Sequence, residues 1–254
     1  MKMRIILFVL AMLTCSFPSI ANMTISGTRI IFPANENEVD VRTNNKGSQP
    51  ALVQVWVDED KLNSNLNNIK VPFILTPPIY RVEPGKGQSV RLIYNGMNLP
   101  QNRESVFWFN MLEIPPKVTE HVSQQRLDLA FRTRIKIFYR PSSISNSNSS
   151  MLKKNLKWQV VNTPKKGTGV KVTNPTPYYF SFDELTVESQ GKKTELNVKM
   201  VSPFSSAIFY PIKKTISGEK ITGIYYGLIN DYGAVINSRL TLLPSGIYSE
   251  DAKK

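Results

Sequence analysis

An all-β chain folded as two antiparallel sandwiches is what this sequence predicts, and three observations predict it. Almost no stretch keeps a helical period over three turns, and short segments alternating apolar with polar residues dominate instead. Proline, glycine and asparagine turns punctuate those segments. A stretch with a single apolar residue, 142–150 (SSISNSNSS), interrupts a chain of 254 residues. That length exceeds one small sandwich and suits two domains of about 100 residues each plus extras.

The first residues read as a secretory leader. Lys2 and Arg4 give a basic start, 5–15 is an apolar run too short to span a bilayer, and Ser19-Ile20-Ala21 offers small residues for cleavage after Ala21. A lipoprotein reading at Cys15 competes, but Thr14 suits it poorly. No later segment has the length and apolarity of a transmembrane helix, so no membrane insertion is expected. Cys15 is the only cysteine, so the mature chain enters an oxidising compartment with no disulfide and relies on core burial. The formal charge is +13, and losing Lys2 and Arg4 leaves +11. The basic residues are scattered and the chain is exported, which removes nucleic acid from the expected partners. Plain solubility and steering of acidic proteins account for the charge equally well.

The strands follow in order. Segments 51–57, 89–94, 106–112 and 127–139 alternate, separated by turns such as Thr43-Asn44-Asn45-Lys46-Gly47, Glu83-Pro84-Gly85-Lys86-Gly87 and Ile114-Pro115-Pro116. The Ser/Asn stretch 142–150 reads as a linker or exposed loop. Strands resume at 157–161, 169–173, 178–185, 207–210, 221–229 and 234–243, and the tail 248–254 reads as frayed. The expected layout is a signal at 1–21, domains at 22–141 and 151–247, and the linker between them.

Catalytic constellations are missing from the sequence. The single histidine, His121, sits in a polar stretch with no G-x-S-x-G elbow nearby. One histidine and no mature cysteine supply too few ligands for zinc. Asp58-Glu59-Asp60 reads as a solvated strand end rather than a calcium site. No phosphate-cradling motif occurs, so no cofactor or metal is expected and binding is favoured over catalysis.

The most informative segment is 127–141, LDLAFRTRIKIFYRP. Leu127, Leu129, Phe131, Ile135, Ile137 and Tyr139 alternate with Asp128, Arg132, Arg134, Lys136 and Arg140, a long period-two strand. It exceeds the usual strand of about five or six residues, so its first half should overhang the core. An overhanging apolar edge is an aggregation hazard unless it is meant to pair with another chain. The plainer alternative makes Leu127, Leu129 and Phe131 ordinary core residues.

With these residues in view, the chain resembles the periplasmic chaperones of the chaperone–usher pilus pathway, the PapD-like family. The resemblance rests on Thr28-Arg29-Ile30-Ile31-Phe32, Thr76-Pro77-Pro78, Arg81-Val82-Glu83-Pro84-Gly85, the run 103–110 (RESVFWFN), Lys136-Ile137-Phe138-Tyr139-Arg140-Pro141 and Ile229-Asn230-Asp231-Tyr232-Gly233. It implies two immunoglobulin-like β-sandwich domains set as an L or boomerang. It implies that the chain complements incomplete pilus subunits with a donor strand and passes them to an outer-membrane usher. Arg29 and Lys136 would anchor the subunit's C-terminal carboxylate, and Leu127, Leu129 and Phe131 would fill its groove. Glu104, Arg140 and Asp231 would form an interdomain salt bridge. The same exposed strand would let free chaperone cap itself as a dimer. The loop before Leu127 is slightly longer than the family's short form, yet the missing cysteines point to the short-loop branch. Strict alternation places Lys136 on the face opposite Leu127, Leu129 and Phe131. That demands a bulge or strong twist, or a side chain that reaches around the cleft wall. The competing function is a structural fimbrial subunit or adhesin. Such proteins usually carry an N-terminal donor segment and often a disulfide, and neither is evident here.

Overall fold

The structure, a computed structural model, describes residues 22–59, 70–114, 129–164, 166–213, 220–242 and 248–250. Residues 1–21, read above as a leader, His121 and Leu127 lie outside the described residues.

The N-terminal domain is built from β1 (Met23–Ile25), β2 (Arg29–Pro33), β3 (Glu38–Asn45), β4 (Ala51–Asp58), β5 (Phe73–Thr76), β6 (Ile79–Val82), β7 (Gly87–Tyr94), β8 (Ser105–Ile114) and β9 (Phe131–Arg140). They form two facing sheets, ordered β1-β3-β7-β5 and β2-β9-β8-β4-β6. Alternation explains the placement: Ala51, Val53, Val55 and Val57 of β4 are buried while Leu52 faces out. Each fully buried aliphatic side chain contributes roughly 1.5–3 kcal/mol. Phe32, Phe73, Tyr94 and Tyr139 close one end of this core, with Phe32–Phe73 and Tyr94–Tyr139 ring centroids 5.1 and 5.0 Å apart.

The second domain contains β10 (Lys157–Thr163), β11 (Gly167–Asn174), β12 (Phe182–Ser189), β13 (Lys192–Glu195), β14 (Ser205–Phe209), β15 (Ile221–Ile229), β16 (Val235–Leu242) and β17 (Tyr248–Glu250). Its sheets run β10-β11-β14 and β13-β12-β15-β16-β17 over a separate core that includes Phe180, Leu185, Phe209 and Tyr226.

Three local expectations differ from the structure. The Ser/Asn stretch carries a 3-10 turn at Ser142–Ile144 and a one-turn helix, α1 (Ser149–Leu152). The polar side chains that looked structureless satisfy the backbone: Asn148 Oδ1 accepts from the Met151 amide at 3.0 Å. The tail is not frayed at Tyr248–Glu250, which pairs with β16. Tyr248 packs on the second core and donates its hydroxyl to the Ile221 carbonyl at 3.0 Å. The long strand is described from Phe131, whereas Leu129 and Ala130 lie outside it. Phe131 pairs with Glu113, one residue before the last described residue of β8, Ile114.

Candidate functional site: a strand edge that ends at a basic cleft

Strand β9 has two neighbours of unequal length. On one side β8 pairs with it from Phe131 to Tyr139 without a register break. On the other side β2 runs parallel to it, but only from Lys136 to Arg140. Upstream of Lys136 that second edge, 131–135, has no strand partner among the described residues. A strand edge without a strand neighbour is the feature that invites an added strand. Leu129 and Phe131, 56% and 60% exposed, lie at this open end.

Arg29, the first residue of β2, is the register partner of Lys136. This removes the parity difficulty without a bulge. Ile135, Ile137 and Tyr139 point into the core, while Arg132, Arg134 and Lys136 stand on the opposite face. Phe131 shares the parity of the core residues but lies beyond the core. The basic pair and the apolar residues therefore use different faces of one regular strand.

The basic face opens on a cavity of about 280 Å³ between the domains. Arg29, Trp108, Arg134 and Lys136 line it from the first domain, and Asp183 and Ile229 from the second. Arg29 donates through Nη1 to the Ile229 carbonyl at 3.0 Å, and its guanidinium lies 5.6 Å from the Phe138 ring centroid. Burial pulls its pKa down, against the pull of Asp231 and Glu104. An arginine stays charged through such a change. Arg29 Nε and Trp108 Nε1 are buried with no hydrogen-bond acceptor among the described residues. Unmet buried donors cost about 1–3 kcal/mol each, so the cavity wall favours an incoming acceptor. A larger groove, of about 900 Å³, runs beside β14, but none of the sequence-predicted residues lines it.

Glu104, Arg140 and Asp231 meet at the domain junction. Arg140 donates from Nε to Glu104 Oε1 at 2.9 Å and from Nη1 to Asp231 Oδ2 at 2.8 Å. Glu104 also accepts from the Tyr179 amide at 2.8 Å, so one carboxylate ties β8's approach to both domains. Burial pushes the Glu104 carboxyl up, and Arg140 and the Tyr179 amide pull it back only in part. Burial pulls Arg140 down, but its bonds and charges with Asp231 and Glu104 together outweigh that. Both partners thus move upward, where a simple ion pair would lower the acid. The deeper burial of Glu104, 3% exposed against 8% for Arg140, accounts for the asymmetry.

One expectation is corrected here. Asp58 is not a solvated strand end: it is 2% exposed. It accepts from Arg132 Nη2 at 3.1 Å, from Arg134 Nη2 and from Asn110 Nδ2 at 3.0 Å. Arg132 lies 4.9 Å above Trp56, and Arg134 lies 4.2 Å above Trp108. The signal for this cluster was present in the alternation, since three cations on one strand face need a nearby counter-charge.

Residues 22–145 match the family described as pili and flagellar-assembly chaperone, PapD N-terminal domain, and residues 152–240 match the pili assembly chaperone PapD, C-terminal domain. The chain belongs to the pilus assembly chaperone family. It is 42% identical over 239 residues to the probable fimbrial chaperone YadV of Escherichia coli K12, covering 91% of this chain and 96% of that one. Chaperone protein HifB of Haemophilus influenzae is 42% identical over 226 residues, with 87% and 88% covered. The crystal structure of the YadV chaperone superposes with a TM-score of 0.72 at 39% identity, over 87% of this chain and all of that one. The two immunoglobulin-like domains of this chaperone are therefore those of the family, and the family is one of assembly chaperones rather than enzymes.

Proposed function

We propose that this chaperone captures fimbrial subunits by donor-strand complementation. The observation that carries the reading is the open edge of β9 over 131–135, which ends at the register pair of Arg29 and Lys136. A subunit strand laid along that edge with its C-terminal carboxylate between the two cations would run parallel to β9, in line with β2. Its backbone would complete the ladder, and Leu127, Leu129 and Phe131 would enter the subunit's apolar groove. Anchoring one chain end fixes the register of all the rest. Glu104, Arg140 and Asp231 would hold the second domain so that the cleft keeps its width.

Cleavage after Ala21 would place the chaperone in the periplasm, and an outer-membrane usher would receive the loaded complex. Family membership supports both steps. The same open edge is available to a second copy of the chain when no subunit is present, which is the basis for a self-capped dimer.

Co-expression with a cognate subunit tests the reading. A soluble one-to-one complex is expected from the wild type. Arg29→Glu or Lys136→Glu should lose it, and Lys136→Glu should do so with the circular dichroism spectrum of the wild type. Unchanged subunit recovery with Lys136→Glu would remove the carboxylate anchor from the account.

A further inference from the structure

We propose that Asp58 decides which cation of β9 receives the subunit's carboxylate, by holding Arg132 and Arg134 to the sheet so that anchoring occurs at Lys136. The proposal rests on the capture reading above. Arg132, Arg134 and Lys136 occupy alternate positions on one face of an unbroken ladder. Neighbours of this kind stand roughly 6.6 Å apart along a strand. Arg134 also lines the cleft cavity together with Arg29 and Lys136. A subunit anchored two residues too early would keep every side chain on its proper face, because a two-residue slip preserves parity. Alternation therefore gives no protection against this error. Each groove site would instead receive the donor residue two positions upstream of the correct one.

The geometry supplies the missing discrimination. In the sheet order β2-β9-β8-β4-β6, Arg29 lies on one side of β9 and Asp58 on the other, beyond β8. Asp58 draws both arginines across β8, away from the edge at which β2 begins. Asn110, between them on β8, accepts from Arg132 at Nε (3.1 Å) and Nη2 (2.7 Å) while donating to Asp58. Attraction to the Trp56 and Trp108 rings, 4.9 and 4.2 Å from the two guanidinium groups, adds to that hold, while Lys136 Nζ lies farther from Trp108, at 5.4 Å. A carboxylate that is 2% exposed and shared by two arginines is a strong tether, since exchange with water is largely denied to it. Lys136 is the cation in register with Arg29, on the strand edge where the added strand would end.

Rescue is the test. Complexes of wild-type and Lys136→Ala chaperone with a co-expressed subunit are quantified after affinity purification. Wild-type capture with a loss of roughly 30-fold or more in Lys136→Ala upholds the capture reading. No loss would overturn that reading on its own. Asp58→Asn is then added to Lys136→Ala, which is expected to recover about tenfold of the lost complex by freeing Arg134 to serve as anchor. The recovered complex should disappear again with Arg134→Ala, and Asp58→Glu in place of Asp58→Asn should give no recovery. Because the mature chain lacks cysteine, a Thr133→Cys cross-link to single-cysteine subunits reports register, and in the rescued complex its partner should move by two residues. Absence of recovery in a double variant with native circular dichroism would overturn the proposal, as would a recovery that survives Arg134→Ala. If Asp58→Asn does not fold, Asp58→Ser carries the same expectation, and an unshifted cross-link in any rescued complex counts against it.

Discussion

The two halves of β9 are made of the same alternating sequence and serve opposite ends. From Lys136 to Tyr139 the strand has neighbours on both sides, and its inward residues Ile137 and Tyr139 are buried in this protein's own core. From Phe131 to Ile135 its only strand neighbour among the described residues is β8, and the inward-parity residue at the far end, Phe131, is exposed. Nothing in the residue types separates Phe131 from Ile137. The difference is where β2 and the opposite sheet stop. One strand is therefore core at one end and an exposed edge at the other, with the basic pair of Arg29 and Lys136 at the border.

The sharpest way to break this comparison is to place the same charge in both halves. Ile137→Asp buries a carboxylate at a position with no exposure. It should cost upward of about 4 kcal/mol and unfold the first domain, which loss of its cooperative thermal transition would register. Phe131→Asp should leave that transition within about 0.5 kcal/mol of wild type, yet abolish subunit capture. Equal destabilisation by the two variants would show that the halves are not distinct.

A second variant acts where the buried half ends. Arg140→Ala leaves Glu104 buried without its cation, and such losses cost about 3–5 kcal/mol. Because the network joins the domains, the cost should appear as their uncoupling. We expect the single transition to split in two and the small-angle scattering profile to broaden. A uniform shift of one transition would instead assign the network to the first domain alone.

Much of this was legible in the residues. Alternation located β4, β7, β8, β15 and the buried half of β9, because a period of two with one apolar face leaves few other placements. The opposite faces of the basic pair and the apolar stripe were also legible, as a parity conflict. What alternation could not reveal was the way out, since the length of β2 relative to β9 is a property of the sheet and not of either strand. Asp58 was misread for a related reason. Next to Glu59 and Asp60 it looks like a solvated cluster. Its burial comes from Arg132, Arg134 and Asn110, brought to it across two strand boundaries. Tyr248 escaped notice because its anchoring partner, the Ile221 carbonyl, is a backbone group with no signature in sequence.

The smallest expected effect sharpens the comparison at the cleft itself. Gly233 sits in the turn after β15, held by Asn230, whose Oδ1 accepts from the Tyr232 and Ala234 amides at 3.0 and 2.9 Å. Its φ of +85° disfavours any residue with a Cβ, and a Cβ there would collide with Thr28 Oγ1 of the first domain. Gly233→Ala should therefore cost about 1–2 kcal/mol and push the turn away from Thr28, widening the cleft beside Arg29. Capture should fall modestly, through faster subunit release. Backbone strain alone would predict that Thr28→Gly gives no relief to Gly233→Ala. If the close approach of the domains sets the cleft width, the double variant should regain part of the lost residence time, a difference that surface-plasmon dissociation rates can resolve.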